Sequence, residues 1–213
     1  MTAKGAMTAA FTAAHPKVLL VEGKDEFYLL LQLLEEPVFA DQVIDVQMYD
    51  GTGGLAKTLK TLRHSAPTGF RAHVTTLAVW RDADQDSMGS LQQVRDALQS
   101  ASFAVPDRSG QFVDGPPRIG VFILPDGRNA GALENVCLAS VGKPEVLSCV
   151  DGYLACLQAT GTELHPNLGK SKLHTFLASR EEPGLKIGEA AKARYWNFTH
   201  PAWQPLIDFL KAM

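Results

Sequence analysis

At 213 residues the chain has room for one domain with an appendage and is cramped for two. A composition of 46% hydrophobic and 20% charged residues is that of an ordinary globular protein and excludes disordered and fibrous classes; no apolar run approaches the roughly 18 residues of a membrane span. The net charge of −3 gives no global attraction for nucleic acid, so such a partner must be held by a local patch or through a metal ion.

Residues 1–16 are rich in Ala and Thr, lack the apolar core of a signal peptide and stop at His15-Pro16, which predicts a loose leader. Lys17 to Val21 is a continuous β-branched and Leu run, the pattern of a strand buried on both faces. Lys24 to Glu36 then places Phe27, Leu30, Leu31 and Leu34 on one helical face, with Asp25 and Glu26 in the first turn, where acids suit the helix dipole. Val43 to Tyr49 reads as a second strand, followed by Asp50-Gly51-Thr52-Gly53-Gly54 and a helix carrying Leu55, Leu59 and Leu62. Val74 to Trp80 is the third strand and runs into Arg81-Asp82-Ala83-Asp84-Gln85-Asp86; Leu91, Val94 and Leu98 mark the next helix. Arg108 to Pro117 reads as a turn-rich excursion, Ile119 to Leu124 as the fourth strand and Ala132 to Ala139 as a helix.

Strands joined by helical crossovers must run parallel, so residues 17–140 are expected to form a three-layer α/β/α, Rossmann-like domain. Residues 141–213 read as a mainly helical extension packed on it, with Trp196, Phe198 and Trp203 as anchors rather than a base-stacking platform. From His165 onward seven Lys/Arg face four acids, a local +3 against −6 for the preceding residues, which fits either a basic patch or a solvated face. Cys137, Cys149 and Cys156 match neither a disulfide framework nor a zinc spacing and are expected to be buried thiols in a reducing cytoplasm.

Chemistry is indicated by where the carboxylates fall. Glu22 follows the first strand, and Asp82 and Asp84 follow the third, all at carboxyl-terminal strand ends, where open parallel sheets bind ligands at a reversal of strand order. If the second and third strands flank the first on opposite sides, these acids meet, and residues two apart in extended chain project to the same side. Carboxylate oxygens without a Cys/His set suit magnesium or manganese and leave room for phosphate; zinc does not fit. The alternative is that Asp82, Asp84 and Asp86 form an Asx turn and helix cap and that Glu22 is a solvated strand-end acid. Gly53 and Gly54, ahead of a helix, suit either a backbone phosphate contact or a simple turn. Lys24 and Arg128 flank the expected crevice, where they can touch phosphate or balance the acids.

Val-Glu-Gly-Lys-Asp-Glu at 21–26 with Asp-Ala-Asp at 82–84 resembles the toprim domain shared by topoisomerases, primases and certain small nucleases. Ile123-Leu124-Pro125, Gly131-Ala132-Leu133-Glu134 and Lys170-Ser171-Lys172 are more similar to stand-alone toprim-like proteins, and through them to the toprim part of overcoming-lysogenization-defect nucleases. The resemblance implies that Glu22 is a general acid/base or metal ligand and that Asp82 and Asp84 hold magnesium. It adds Asp86 as auxiliary ligand or cap, Glu134 as second-metal ligand or first-turn dipole acid, Gly23 beside the phosphate, and Lys170 or Lys172 as stabiliser of the transition state or as surface charge. No room is left for a topoisomerase's cleaving tyrosine on further domains, and the cysteine pattern denies a zinc template module, so metal-dependent phosphodiester hydrolysis of DNA or RNA is the expected activity. The alternative is a non-catalytic metal- or nucleotide-binding module acting with a separate ATPase.

Overall fold

The computed structural model describes residues 15–49, 51–64 and 73–213. Its sheet is built from β1 (Lys17–Val21), β2 (Asp45–Met48), β3 (Thr76–Asp82), β4 (Gln111–Val113) and β5 (Arg118–Leu124), in the order β2-β1-β3-β5-β4. The helices are α1 (Lys24–Leu33), α2 (Gly51–Arg63), α3 (Ser87–Ser100), α4 (Leu133–Ala139), α5 (Glu145–Ala159), α6 (Leu168–Ala178), α7 (Ile187–Lys192) and α8 (Gln204–Lys211). β1 pairs in parallel with β2 on one side and β3 on the other, so strand order reverses at β1, and a crevice opens beyond the ends of β1 and β3. The arrangement is an α/β three-layer fold, as the alternation of strand and helix patterns requires.

Strand alternation divides the interior in two. Val18 and Leu20 of β1 point into one core with Leu55, Leu59 and Leu62 of α2 and Leu91, Val94 and Leu98 of α3. Leu19 and Val21 point into the other, with Leu29, Leu30 and Leu33 of α1. This second core also takes Leu173, Phe176 and Leu177 of α6, Ile187 of α7, and Leu206, Phe209 and Leu210 of α8, so residues 141–213 supply much of one face's cover. Trp196, Phe198 and Trp203 are buried in it, as expected of anchors. The carboxyl terminus is stitched to the sheet as well: Thr76 Oγ1 donates to the carbonyl of Met213 at 3.2 Å, and Arg118 to that of Ala212 at 2.6 Å.

The sheet is not wholly parallel. β4 lies inside the expected turn-rich excursion and pairs antiparallel with β5. Three residues give no readable period; what holds them is tertiary. Phe112 packs on Gly120, where an added Cβ would strike its ring, stacks on Phe209 at 4.8 Å, and lies under the Arg118 guanidinium at 4.4 Å. Other boundaries move as well. α2 begins at Gly51 rather than after Gly54, because burying its Leu stripe outweighs the poor propensity of three glycines, while α1 stops at Leu33, short of the expected Glu36. Of the cysteines, only Cys137 is buried; Cys149 and Cys156 are exposed on α5, whose inner stripe is Val150 and Leu154.

The leader expectation falls largely on residues 1–14, outside the described residues. Pro16 is tied in, its carbonyl accepting the N–H groups of Thr75 and Thr76 at 2.8 and 3.1 Å. Among the described residues no helix is long and apolar enough to cross a membrane.

Candidate functional site

The same alternation that divides the core distributes the acids. Glu22 continues the Val18–Leu20 side of β1 and faces Arg81, which continues the Leu77–Val79 side of β3; Nε of Arg81 lies 3.8 Å from Oε2 of Glu22. Asp82 belongs to the opposite side, where Trp80 is buried. There its Oδ1 accepts the N–H of Leu133, at the start of α4, at 3.1 Å. Burial raises the Asp82 carboxyl well above its ordinary value, and the charges of Glu26, Glu134 and Asp84 raise it further.

Glu26 reaches the cluster from the first turn of α1. Its carboxyl is also raised, by burial first and then by Asp25, Glu22 and Glu134. Gly23 makes this possible: a Cβ there would stand 3.0 Å from Oε2 of Glu26. Glu134 enters from the first turn of α4 and is 7% exposed; its Oε2 is buried without a hydrogen-bond partner, while Oε1 lies 4.0 Å from Nζ of Lys170 on α6. The charges of Asp82, Glu26 and Glu134 thus act on one another from β3, α1 and α4, and Lys170 stands at the limit of ion-pairing distance from Glu134.

Asp84 departs from the expectation that it projects beside Asp82 from extended chain. Its φ is +51°, a left-handed turn that Asp tolerates, and it forms a bridge with Gly131, whose N–H donates to its carbonyl at 2.8 Å. The bridge locks the loop after β3 to the loop before α4. Asp86 is the N-cap of α3, its Oδ1 accepting the N–H of Gly89 at 2.9 Å. Lys170 and Lys172 separate: Lys172 pairs with Asp151 of α5 at 2.8 Å, beside a different cavity from the one Lys170 lines.

A groove of about 820 Å³ opens beside the acids, with Arg81, Asp84 and Asp86 on one wall and Asn135, Asn167 and Lys170 on the other. Gly53 and Gly54 lie in the first turn of α2. Lys24, the first residue of α1, borders a separate cavity with Lys186 and Glu189, and Arg128 is exposed in the loop after β5, its N–H donating to Asp126 at 3.0 Å.

Among the described residues no three His, Cys, Asp or Glu side chains stand as a ready-made metal cage. The residues nevertheless fit a hard divalent ion. Every donor is a carboxylate oxygen, the kind such an ion takes, one is a buried orphan, and burial, with the neighbouring carboxylates, pushes the carboxyls of Asp82 and Glu26 toward protonation. Reading the sequence missed Glu26 and Arg81. Glu26 lies in the same motif as Glu22, but Glu22 precedes the helix, so no helical spacing links the two, and the first-turn position of Glu26 is equally explained by the helix dipole.

The chain belongs to the family described as protein of unknown function (DUF3226), whose model matches residues 16–213. Among curated proteins none matches it. Solved structures similar to it include the C-terminal region of the OLD protein of Xanthomonas campestris pv. campestris, 17% identical with a TM-score of 0.52, covering 94% of this chain and 96% of that one. A hypothetical protein of Pyrococcus horikoshii OT3 is 18% identical with a TM-score of 0.50, covering 93% and 95%. At these identities the likeness is one of fold.

Proposed function

We propose that this chain is a toprim-type phosphodiesterase that hydrolyses nucleic acid with magnesium or manganese. The observation that carries the reading is the mutual approach of half-buried Asp82 and Glu26 and buried Glu134, with Oε2 of Glu134 orphaned. Asp82, Glu26 and Glu134 would hold the ion, with Asp84 at the groove edge as a further ligand; a bound ion supplies a Lewis acid for phosphate and lowers the pKa of water. Glu22 stands across the strand ends, about one-third exposed, where it can orient water and accept its proton. Gly23 leaves the space that the Glu26 carboxylate takes up, and Lys170 brings positive charge to the groove where the leaving oxygen gains negative charge. Asp86 belongs to the scaffold in this reading, as does Lys172.

The test incubates wild type and Glu22→Gln with supercoiled plasmid, single-stranded DNA and RNA, in magnesium, in manganese and in chelator. Cleavage that needs metal and falls at least 100-fold in Glu22→Gln is the expected result. A wild type that cuts none of the substrates, or a Glu22→Gln chain that cuts equally fast, overturns it. A second reading has one observation in its favour: the similar OLD structures are of a region cut from a longer protein. This chain would then be a binding module for a separate ATPase, and capture of such a partner by a chain without cleavage activity supports it.

A further inference from the structure

Two hydrogen-bond donors flank Glu22: the hydroxyl of Tyr49, buried without a partner, and the guanidinium of Arg81, which lines the groove. Tyr49 directly follows β2, and its N–H donates to the carbonyl of Val21 at 2.8 Å, which places it beside the residue preceding Glu22. Its ring is packed in the core of Leu20 and Leu55, at 2% exposure, and its hydroxyl is buried with no hydrogen-bond partner. Val21 pairs with Met48, so Tyr49 comes level with Glu22 on the neighbouring strand and on the face that Val18 and Leu20 share, where the carboxylates of Glu22, Glu26 and Asp82 act on its phenol. Burial and those carboxylates push its pKa upward, which keeps the proton on oxygen and makes the group a donor.

Arg81 is the second donor. It is 8% exposed, yet lines the groove, and its distance of 3.8 Å from Glu22 is an ion pair too long to be a hydrogen bond. A buried phenol hydroxyl without an acceptor carries a desolvation cost, which a native structure usually repays with a ligand or an ordered water, and the Arg81 guanidinium, loosely paired with Glu22, still has donors open to the groove. Their positions at the ends of β2 and β3, on either side of β1, leave Glu22 between them.

We propose that Tyr49 and Arg81 form a phosphate-oxygen subsite of this centre, the guanidinium taking one or two non-bridging oxygens and the phenol hydroxyl donating to another. The subsite rests on the proposed hydrolysis for its substrate, a phosphodiester, but makes its own claim: anion recognition by donors on the α2/α3 side, opposite the metal-binding carboxylates. An arginine fork matches phosphate geometry, and a phenol adds a donor that brings no charge.

The experiment titrates a nucleoside 3′,5′-bisphosphate into the full chain by calorimetry in magnesium, with parallel melting curves in magnesium and in chelator. Tyr49→Phe removes one oxygen atom and keeps the packed ring. It is expected to weaken probe binding about tenfold, to leave the magnesium-induced rise in Tm unchanged, and to leave the chelated protein at least as stable as wild type. Arg81→Gln is expected to weaken the probe more strongly. Inorganic phosphate should compete with the probe in wild type and lose that competition in both variants. Undiminished affinity in Tyr49→Phe overturns the subsite, as does wild type failing to take the probe, or Tyr49→Phe losing the magnesium shift instead of phosphate affinity. The two readings fail separately: a chain that binds the probe through Tyr49 but cuts nothing refutes hydrolysis alone, and one that cuts while ignoring Tyr49 refutes the subsite alone.

Discussion

Asp82→Asn should stabilise the metal-free protein. The substitution keeps an acceptor for the N–H of Leu133, which Oδ1 now takes at 3.1 Å, and removes the charge that faces Glu26, Glu134 and Asp84. Relief of a buried like-charge cluster is worth about 1–3 kcal/mol, and for a chain of this size that is a rise in Tm of roughly 2–10 °C. The pH dependence follows from the raised folded-state pKa. Between the ordinary value of 3.8 and that raised value the native state binds the extra proton, so wild-type stability in chelator falls as pH increases through this window, and Glu26 adds to the fall. Asparagine does not titrate. The advantage of the variant should therefore grow as pH rises and shrink as pH approaches 4. Scanning calorimetry in chelator from pH 4 to 8 measures it, and repeating the scans in magnesium should reverse the order of the two proteins. A variant no more stable than wild type at pH 7.5, or a gap that does not change with pH, refutes the account of a charge-strained centre.

Lys170 and Lys172 should behave differently although they are two residues apart. Lys170→Met leaves the buried Glu134 without its cation and should lower stability by about 1–3 kcal/mol and activity by two orders of magnitude or more, whereas Lys172→Ala breaks a surface pair with Asp151 worth about 0–1 kcal/mol and should leave activity intact; melting curves and cleavage rates decide. In nucleic-acid titrations against salt, Lys170→Ala should reduce the log-log slope by about 0.7–0.9, and an unchanged slope would remove that lysine from the phosphate path. Asp86→Ala should cost about 0.5–2 kcal/mol as a lost helix cap while leaving the magnesium-induced Tm shift as in wild type; loss of that shift would return Asp86 to the metal.

The parallel core of the sheet and the placement of acids at the ends of β1 and β3 were legible in the sequence, because buried strands and amphipathic crossovers leave strong local patterns at residues 17–21, 76–82 and 87–100, whereas the reversal of strand order entered only as a condition, since local patterns do not say which strands are neighbours. The side to which each acid turns was not read. Counting alternation from Val18 puts Glu22 opposite Asp82, but the three carboxylates were expected to share one ion, and the left-handed turn at Asp84 has no signature in an Asp-Ala-Asp triplet. β4 escaped because Phe112 is held by its cross-strand partner Gly120 and by Phe209, far along the chain, neither of which leaves a local pattern. The fates of Lys170 and Lys172 were equally illegible, since only the packing of α6 against α4 and α5 decides which lysine meets Glu134 and which meets Asp151.

The sharing of one core between the sheet and residues 141–213 ties the electrostatics of the centre to the folding of the tail. Trp80 and Phe122 of the sheet lie in the same apolar cluster as Phe176, Trp196 and Phe209, so a chain cut after Ala139 would expose the face of β3 and β5 that they cover. The same cut removes Lys170 and leaves Glu134 buried beside Asp82 with no cation near it. Any partial opening that lifts α6 therefore wets the aromatic layer and unbalances the acids at once. The two penalties reinforce each other, so the tail should exchange its amide hydrogens together with the sheet, as one cooperative unit, rather than as a separately melting lobe.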